Sequence, residues 1–161
     1  MALKGKKPQQ KDKRLKLFMY GEAGVGKTTA ACQMPCPYII DTERGTDNYS
    51  NMIDSVGGSV FQSIDSDELI EEIRTLRSVK HDFKTLVFDS LTPFYFDLLE
   101  KAEVKVGSEY GRHYGEANKD MRRLVNLMME LDMNIVITAH SKPVYGDDMK
   151  IISVTFDGWK K

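Results

Sequence analysis

The sequence predicts an α/β domain, a mainly parallel β-sheet between layers of helices with a β-hairpin at its C-terminal end. Three observations predict it. Short apolar, β-rich runs alternate along the chain with stretches of helical period, the pattern of parallel strands joined by crossover helices. The first run enters a glycine-rich turn that opens a helix. The last two runs, Val144–Tyr145 and Ile151–Thr155, flank the turn-forming Gly146-Asp147-Asp148.

The elements follow in order. Leu15–Tyr20 is the first strand, and the helix after the turn runs from Lys27 to Met34, stopped by Pro35 and Pro37. Tyr38–Asp41 is a second buried strand. Residues 45–59 read as loop with some helical turn, and Val60–Ile64 as a third strand. Asp65 with Glu68 has the form of a capping box, and Ile64 with Leu69 that of a hydrophobic staple. Leu69, Ile70, Ile73, Leu76 and Val79 recur at helical spacing, so 66–79 is an amphipathic helix.

Thr85–Asp89 is another β-rich run, and Thr92-Pro93 reads as N-cap and first residue of a helix to Lys105. Residues 107–115, GSEYGRHYG, hold three glycines and two tyrosines and read as a mobile loop. Ala117, Met121, Leu124, Val125, Met128 and Leu131 mark the next helix face, and Asn134–Ala139 the next buried strand.

At 161 residues the chain is one domain's length, divided into a basic flexible arm over 1–14 and a core over 15–161. No apolar stretch is long enough to span a membrane, and the N-terminus lacks the apolar region of a secretory signal. The two cysteines, Cys32 and Cys36, exclude a disulfide scaffold and fit a reducing cytoplasm. With no further Cys or paired His at ligand spacing they read as inert thiols, and His81 and His113 as loop residues. The net charge of −1 hides an asymmetry: residues 1–16 carry seven basic side chains against Asp12, a net of +6, leaving −7 for the remainder. Such an arm suits either a polyanionic partner or simple solvation.

The strongest motif is Gly21-Glu22-Ala23-Gly24-Val25-Gly26-Lys27-Thr28, followed by Thr29, which satisfies G-x-x-x-x-G-K-[ST]. Its glycines let successive N–H groups converge on a phosphate. Lys27 is placed to neutralise the outer phosphates, and the Thr28 hydroxyl to meet Mg²⁺. Thr85-Leu86-Val87-Phe88 then ends in Asp89, an acid at the carboxyl end of a strand, where α/β sheets bind ligands and a Walker-B acid holds Mg²⁺. The residue after Asp89 is Ser90, so a water-activating carboxylate has to come from elsewhere. Glu43, just past Ile39-Ile40-Asp41-Thr42, is the best candidate, with Asp41 as competitor and an ion pair of Glu43 with Arg44 or a lysine as the purely structural alternative. His140 closes the Ile135–Ala139 run, where a polar side chain can sense a terminal phosphate and report to 141–150.

GEAGVGKTT, YIIDTERGTD, LVFDSLT and IVITAHSK, in that order over 15–145, resemble the RecA-like P-loop ATPases. They are more similar still to the phage nucleotide-binding proteins with a minimal RecA core, whose better-studied members are single-strand annealing recombinases. The resemblance implies a three-layer P-loop NTPase sandwich around a RecA-like sheet. It also implies ATP and Mg²⁺ as cofactors, weak ATPase activity without a partner, and a homo-oligomer with nucleotide at subunit interfaces acting on single-stranded DNA. It makes Lys27 and Thr28 the Walker-A pair, Asp89 the Walker-B acid and Glu43 the base. His140 stands where RecA has a phosphate-sensing glutamine. Tyr110, Arg112 and Tyr114 lie where RecA-like proteins carry a DNA-contacting loop, with tyrosine suited to stacking and arginine to phosphate. The chain ends at Lys161, where similar proteins continue for a strand or two, so the core is expected to be short and the source of a trans-acting Lys or Arg is not identified.

Two other classes compete. A GTPase wants N/T-K-x-D, whereas Asn118-Lys119-Asp120-Met121 misplaces the acid, and a small-molecule kinase wants an arginine-rich lid that 141–150 lacks. A nucleotide-regulated interaction protein with little turnover would carry the same Walker residues.

Overall fold

The computed structural model describes residues 13–145 and the backbone of 151–156. The strands are β1 (Lys16–Gly21), β2 (Pro37–Asp41), β3 (Ser59–Gln62), β4 (Thr85–Asp89), β5 (Asn134–Tyr145) and β6 (Ile151–Phe156). The helices are α1 (Lys27–Cys32), α2 (Ser50–Ser55), α3 (Ser66–Ser78), α4 (Leu91–Val106) and α5 (Arg112–Met129). Strands β1-β5-β4-β2-β3 form, in that order, a five-stranded sheet parallel throughout. β6 pairs antiparallel with the outer part of β5, from Ser141↔Phe156 to Tyr145↔Ile151. The turn expected at 146–148 and the arm over 1–12 lie outside the described residues.

The sheet sorts its side chains by the two-residue period of a strand. One row across it, Val136–Val87–Ile39, is buried beneath Ala31 and Cys32 of α1 and Ile53 of α2. The next row, Ile137–Phe88–Ile40, faces the larger core built by α3, α4 and α5 with Leu69, Ile73, Phe94, Met121 and Leu124. Burial on both faces is why β4 is buried along its whole length and reads as an unbroken apolar run rather than an alternating one. The three layers follow from that double burial.

Register also decides what meets at the carboxyl edge. Gly21 pairs with His140, Asp41 with Asp89, and Asp41 with Gln62 on its other side. Residues far apart in sequence are thereby brought level along one edge of the sheet.

Local differences from expectation have physical causes. α4 begins at Leu91 with Ser90 as its cap, not at Thr92-Pro93. The Thr92 hydroxyl instead accepts the His140 N–H at 2.9 Å, tying α4 to β5. The mobile loop expected over 107–115 is shorter: a 3₁₀ turn spans Glu109–Gly111, and α5 already begins at Arg112, capped by Gly111 at φ 71°. The helix extends N-terminally from the buried Ala117–Met121 face, and packing against α4 outweighs the roughly 1 kcal/mol helix penalty of Gly115. The capping box at α3 is relayed: Asp65 accepts from the Asp67 and Glu68 N–H groups, while Ser63 stands between Glu68 and the Asp65 N–H.

Leu124 is fully buried in the larger core. Replacing it with alanine removes apolar contacts on the α5 face and should cost about 2–5 kcal/mol of stability, read from urea unfolding midpoints.

Candidate functional site

The Gly21–Thr28 motif spans the end of β1, a turn over 22–26, and the first residues of α1. Gly24 and Gly26 sit at φ 81° and 94°, a region that side-chain-bearing residues seldom adopt, which is the physical reason for glycine at both positions. The Lys27 ammonium donates to the Gly21 and Glu22 carbonyls at 2.9 and 2.8 Å, folding back over the turn. A pocket of about 170 Å³ is lined by Gly24, Gly26, Lys27, Thr28, Thr29, Gly45 and Tyr49. The Tyr49 hydroxyl is 2.8 Å from the Thr29 hydroxyl. A larger open groove, about 660 Å³, runs along α2 and β3 and holds none of the motif residues.

Asp89 is buried beside this turn. Its Oδ2 accepts the Thr28 hydroxyl at 2.7 Å, and its Oδ1 accepts the hydroxyl of Thr138, a fully buried residue of β5. A Cβ added at Gly45 would lie 3.8 Å from Thr28 Oγ1 and 3.9 Å from Asp89 Oδ2, so the backbone after β2 closes over that oxygen pair. Two hard oxygens from a hydroxyl and a carboxylate, under a glycine that leaves space, are a donor set that fits Mg²⁺. The turn, the Lys27 ammonium and the small pocket fit a nucleotide's phosphates in the same way.

The acids that follow β2 divide sharply. Asp41 is buried, and both its oxygens are taken up by N–H and O–H donors of the chain that follows. Burial pushes its carboxyl up, but the hydrogen bonds from Thr46, Glu43 and Gly45 outweigh that and hold it below the ordinary carboxylate value. This removes Asp41 as a competitor for water activation, because a base needs an oxygen that faces the reacting water. Glu43 is half-exposed, and its Oε1 lies 2.7 Å from His140 Nε2. Its partner is therefore His140 on β5, not Arg44 or a lysine. Thr42 between the two acids is stitched to β4: its N–H donates to the Asp89 carbonyl, its hydroxyl donates to the Ser90 carbonyl and accepts the Ser90 N–H.

The structure thus brings Thr28, Asp89, Glu43 and His140 to one edge. The aromatic group of 107–115 behaves otherwise: Arg112 and Tyr114 belong to the first turn of α5, and only Tyr110, 97% exposed at φ 54°, lies in the connection. His113 is likewise helical, its ring against Tyr114, and His81 Nε2 contacts the Leu76 carbonyl. Cys32 is buried, its thiol pushed up to about 11 by that burial and then by the charges of Asp89 and Asp41. Among the described residues no group of three or more His, Cys, Asp or Glu side chains could hold a metal by itself.

Sequence reasoning passed over Thr42, Gly45, Thr46, Tyr49 and Thr138. Thr138 carried a usable signal, a hydroxyl inside the apolar Ile135–Ala139 run. The others depend on how the loop folds.

A sequence-family profile described as AAA domain matches residues 13–158, nearly the whole chain. No curated protein matches it significantly.

Because the Asp41 carboxyl is depressed in the folded protein, the stability it contributes is complete above the ordinary aspartate value of about 3.9 and is lost as pH falls through its lower folded value. Asp41→Asn should therefore flatten the acid limb of a plot of unfolding midpoint against pH, relative to wild type.

Proposed function

The chain belongs to the AAA domain family of P-loop ATPases, and we propose that it binds ATP with Mg²⁺ on the Gly21–Thr29 segment and hydrolyses it with Glu43 as base. The observation that carries this reading is the 2.7 Å contact of Thr28 with Asp89, which joins the phosphate-binding turn to the strand-end acid. When bound, Mg²⁺ supplies charge neutralisation on the transferring phosphate. Thr28 and Asp89 would hold it, and Thr138 fixes the second Asp89 oxygen so that the carboxylate keeps one orientation.

Lys27 exchanges its carbonyl partners for phosphate oxygens, a charge-assisted bond in place of neutral ones. Glu43 accepts the proton of the attacking water. His140 holds the Glu43 carboxylate from the facing strand, and through its backbone bond to Thr92 it links that contact to α4.

The finer reading is an oligomer with nucleotide between subunits that acts on single-stranded DNA in recombination or strand annealing. It is supported by the +6 charge of residues 1–16 and by the exposed ring of Tyr110, which is suited to stacking on a base.

Two measurements separate these levels. Glu43→Gln should lower steady-state ATP turnover by about 10²-fold or more while MgATP still binds; unchanged turnover would remove Glu43 as base and favour a nucleotide-regulated interaction protein. Fluorescence anisotropy with a labelled single-stranded oligonucleotide should show binding that weakens steeply with salt and is reduced in Tyr110→Ala. Absence of any salt-sensitive binding at low ionic strength would remove the DNA part and leave the ATPase.

A further inference from the structure

Five hydrogen bonds converge on the buried Asp41 carboxylate. Oδ1 accepts the N–H groups of Glu43 at 3.0 Å and Gly45 at 3.1 Å. Oδ2 accepts the Thr46 N–H at 2.9 Å, the Thr46 hydroxyl at 2.5 Å and the Gln62 amide at 3.4 Å. Two carboxylate oxygens offer about four lone-pair positions, so the group is saturated. Four of the five donors belong to the short segment that directly follows it, and that segment carries Glu43 and Gly45.

We propose that Asp41 is a positioning residue for hydrolysis: its carboxylate is the fixed post around which the segment after β2 folds, setting Glu43 against His140. The inference rests on the reading of Glu43 as base and deepens it.

The segment has no regular secondary structure to hold it, and Arg44 within it sits at φ 57°, a conformation unfavourable for a side-chain-bearing residue. Its entry is secured by the bonds of Thr42 to the Asp89 and Ser90 carbonyls at the end of β4, and Asp41 secures the rest by binding the N–H groups on both sides of Arg44. Asp41 itself belongs to the sheet, paired in register with Asp89 and Gln62 at the end of β2. The position of Glu43 is thereby referred to the sheet that also positions Asp89 and His140. Gln62 extends the arrangement outward, donating to Asp47 at 2.7 Å.

Asparagine tests this without changing size. Its amide offers one acceptor and one donor face, so in either orientation an N–H meets the N–H groups of Glu43 and Gly45 or that of Thr46. Asp41→Asn should lower kcat for MgATP by about 10-fold or more, since small displacements of a reacting group are costly, while the Kd of a non-hydrolysable ATP analogue shifts by less than about 3-fold. Ile73→Val, a fully buried change in the core away from the edge, serves as the comparison. Assayed well below both melting temperatures, it should lose stability and keep wild-type kcat.

Equal loss of kcat and analogue binding in Asp41→Asn, or a kcat within about 2-fold of wild type, would overturn the proposal. Should Asp41→Asn fail to fold, Thr46→Val removes the hydroxyl donor alone, and the same split between kcat and Kd is expected at smaller size; its absence also overturns the proposal. Glu43→Gln distinguishes the two levels. Wild-type turnover there removes the base and this proposal together, whereas a defective Glu43→Gln beside a fully active Asp41→Asn removes this proposal alone.

Discussion

The candidate site depends on the placement of one buried carboxylate, Asp89. A charge at the end of a strand buried on both faces is costly unless hydrogen bonds replace the water it has lost. Here Thr28 from α1 supplies one and Thr138 from β5 the other. The first of these partners is also the last residue of the phosphate-binding motif, so the contact that makes Asp89 tolerable in the interior fixes the turn to the sheet. Loss of either partner would leave a buried oxygen unsatisfied, a penalty of about 1–3 kcal/mol, before any ligand is considered.

Around that post, the parallel register does the remaining assembly. Strand order β1-β5-β4-β2-β3 sets the phosphate-binding turn beside His140 on one side and Asp89 beside Asp41 on the other. Side chains from four separate segments reach one edge because β2 and β4 end level at Asp41 and Asp89 and β1 ends opposite His140 of β5, which runs on past them. Thr42 then bonds β2's exit to the Asp89–Ser90 carbonyls, and Thr92 bonds α4's first turn to β5. Three threonines, at 42, 92 and 138, thus carry links across this edge, two between strand ends and one from α4 to β5. A hydroxyl can donate and accept at once, which is what a junction between a strand end and a loop requires.

Much of this was legible in the sequence, for identifiable reasons. The alternation of apolar runs and helical periods gave the sheet and its flanking helices, and Thr85–Asp89 was located to the residue because burial on both faces leaves an unbroken β-rich run ending in an acid. The glycine spacing before Lys27-Thr28 reflects backbone angles only glycine tolerates well, so that motif is readable without a structure. The start of α5 was not readable. Three glycines over 107–115 signal a loop locally, and only packing of α5 against α4 and the sheet decides that Arg112 and Tyr114 are helical. The start of α4 was missed for a related reason: Thr92 has the residue type of a cap, but its hydroxyl is engaged by a strand remote in sequence.

The same distinction separates Asp41 from Glu43. In sequence they are two acids after one strand, and residue type cannot divide their roles. The end of the strand does so in part, since Asp41 still belongs to β2 and is held level with Asp89, whereas Glu43 lies beyond the last paired residue. Hydrogen bonding completes the division. An acid whose oxygens are saturated by its own chain has its proton affinity lowered and no free face, both of which oppose general-base work. An acid whose backbone is held and whose carboxylate reaches one imidazole across the edge keeps an oxygen for another partner. With Ser90 in the position after Asp89, preceding α4 and bonded through its backbone to Thr42, β4 offers no second carboxylate there. The base is therefore sought on β2's exit, and the geometry that makes Asp41 unsuitable is the geometry that holds Glu43 in place.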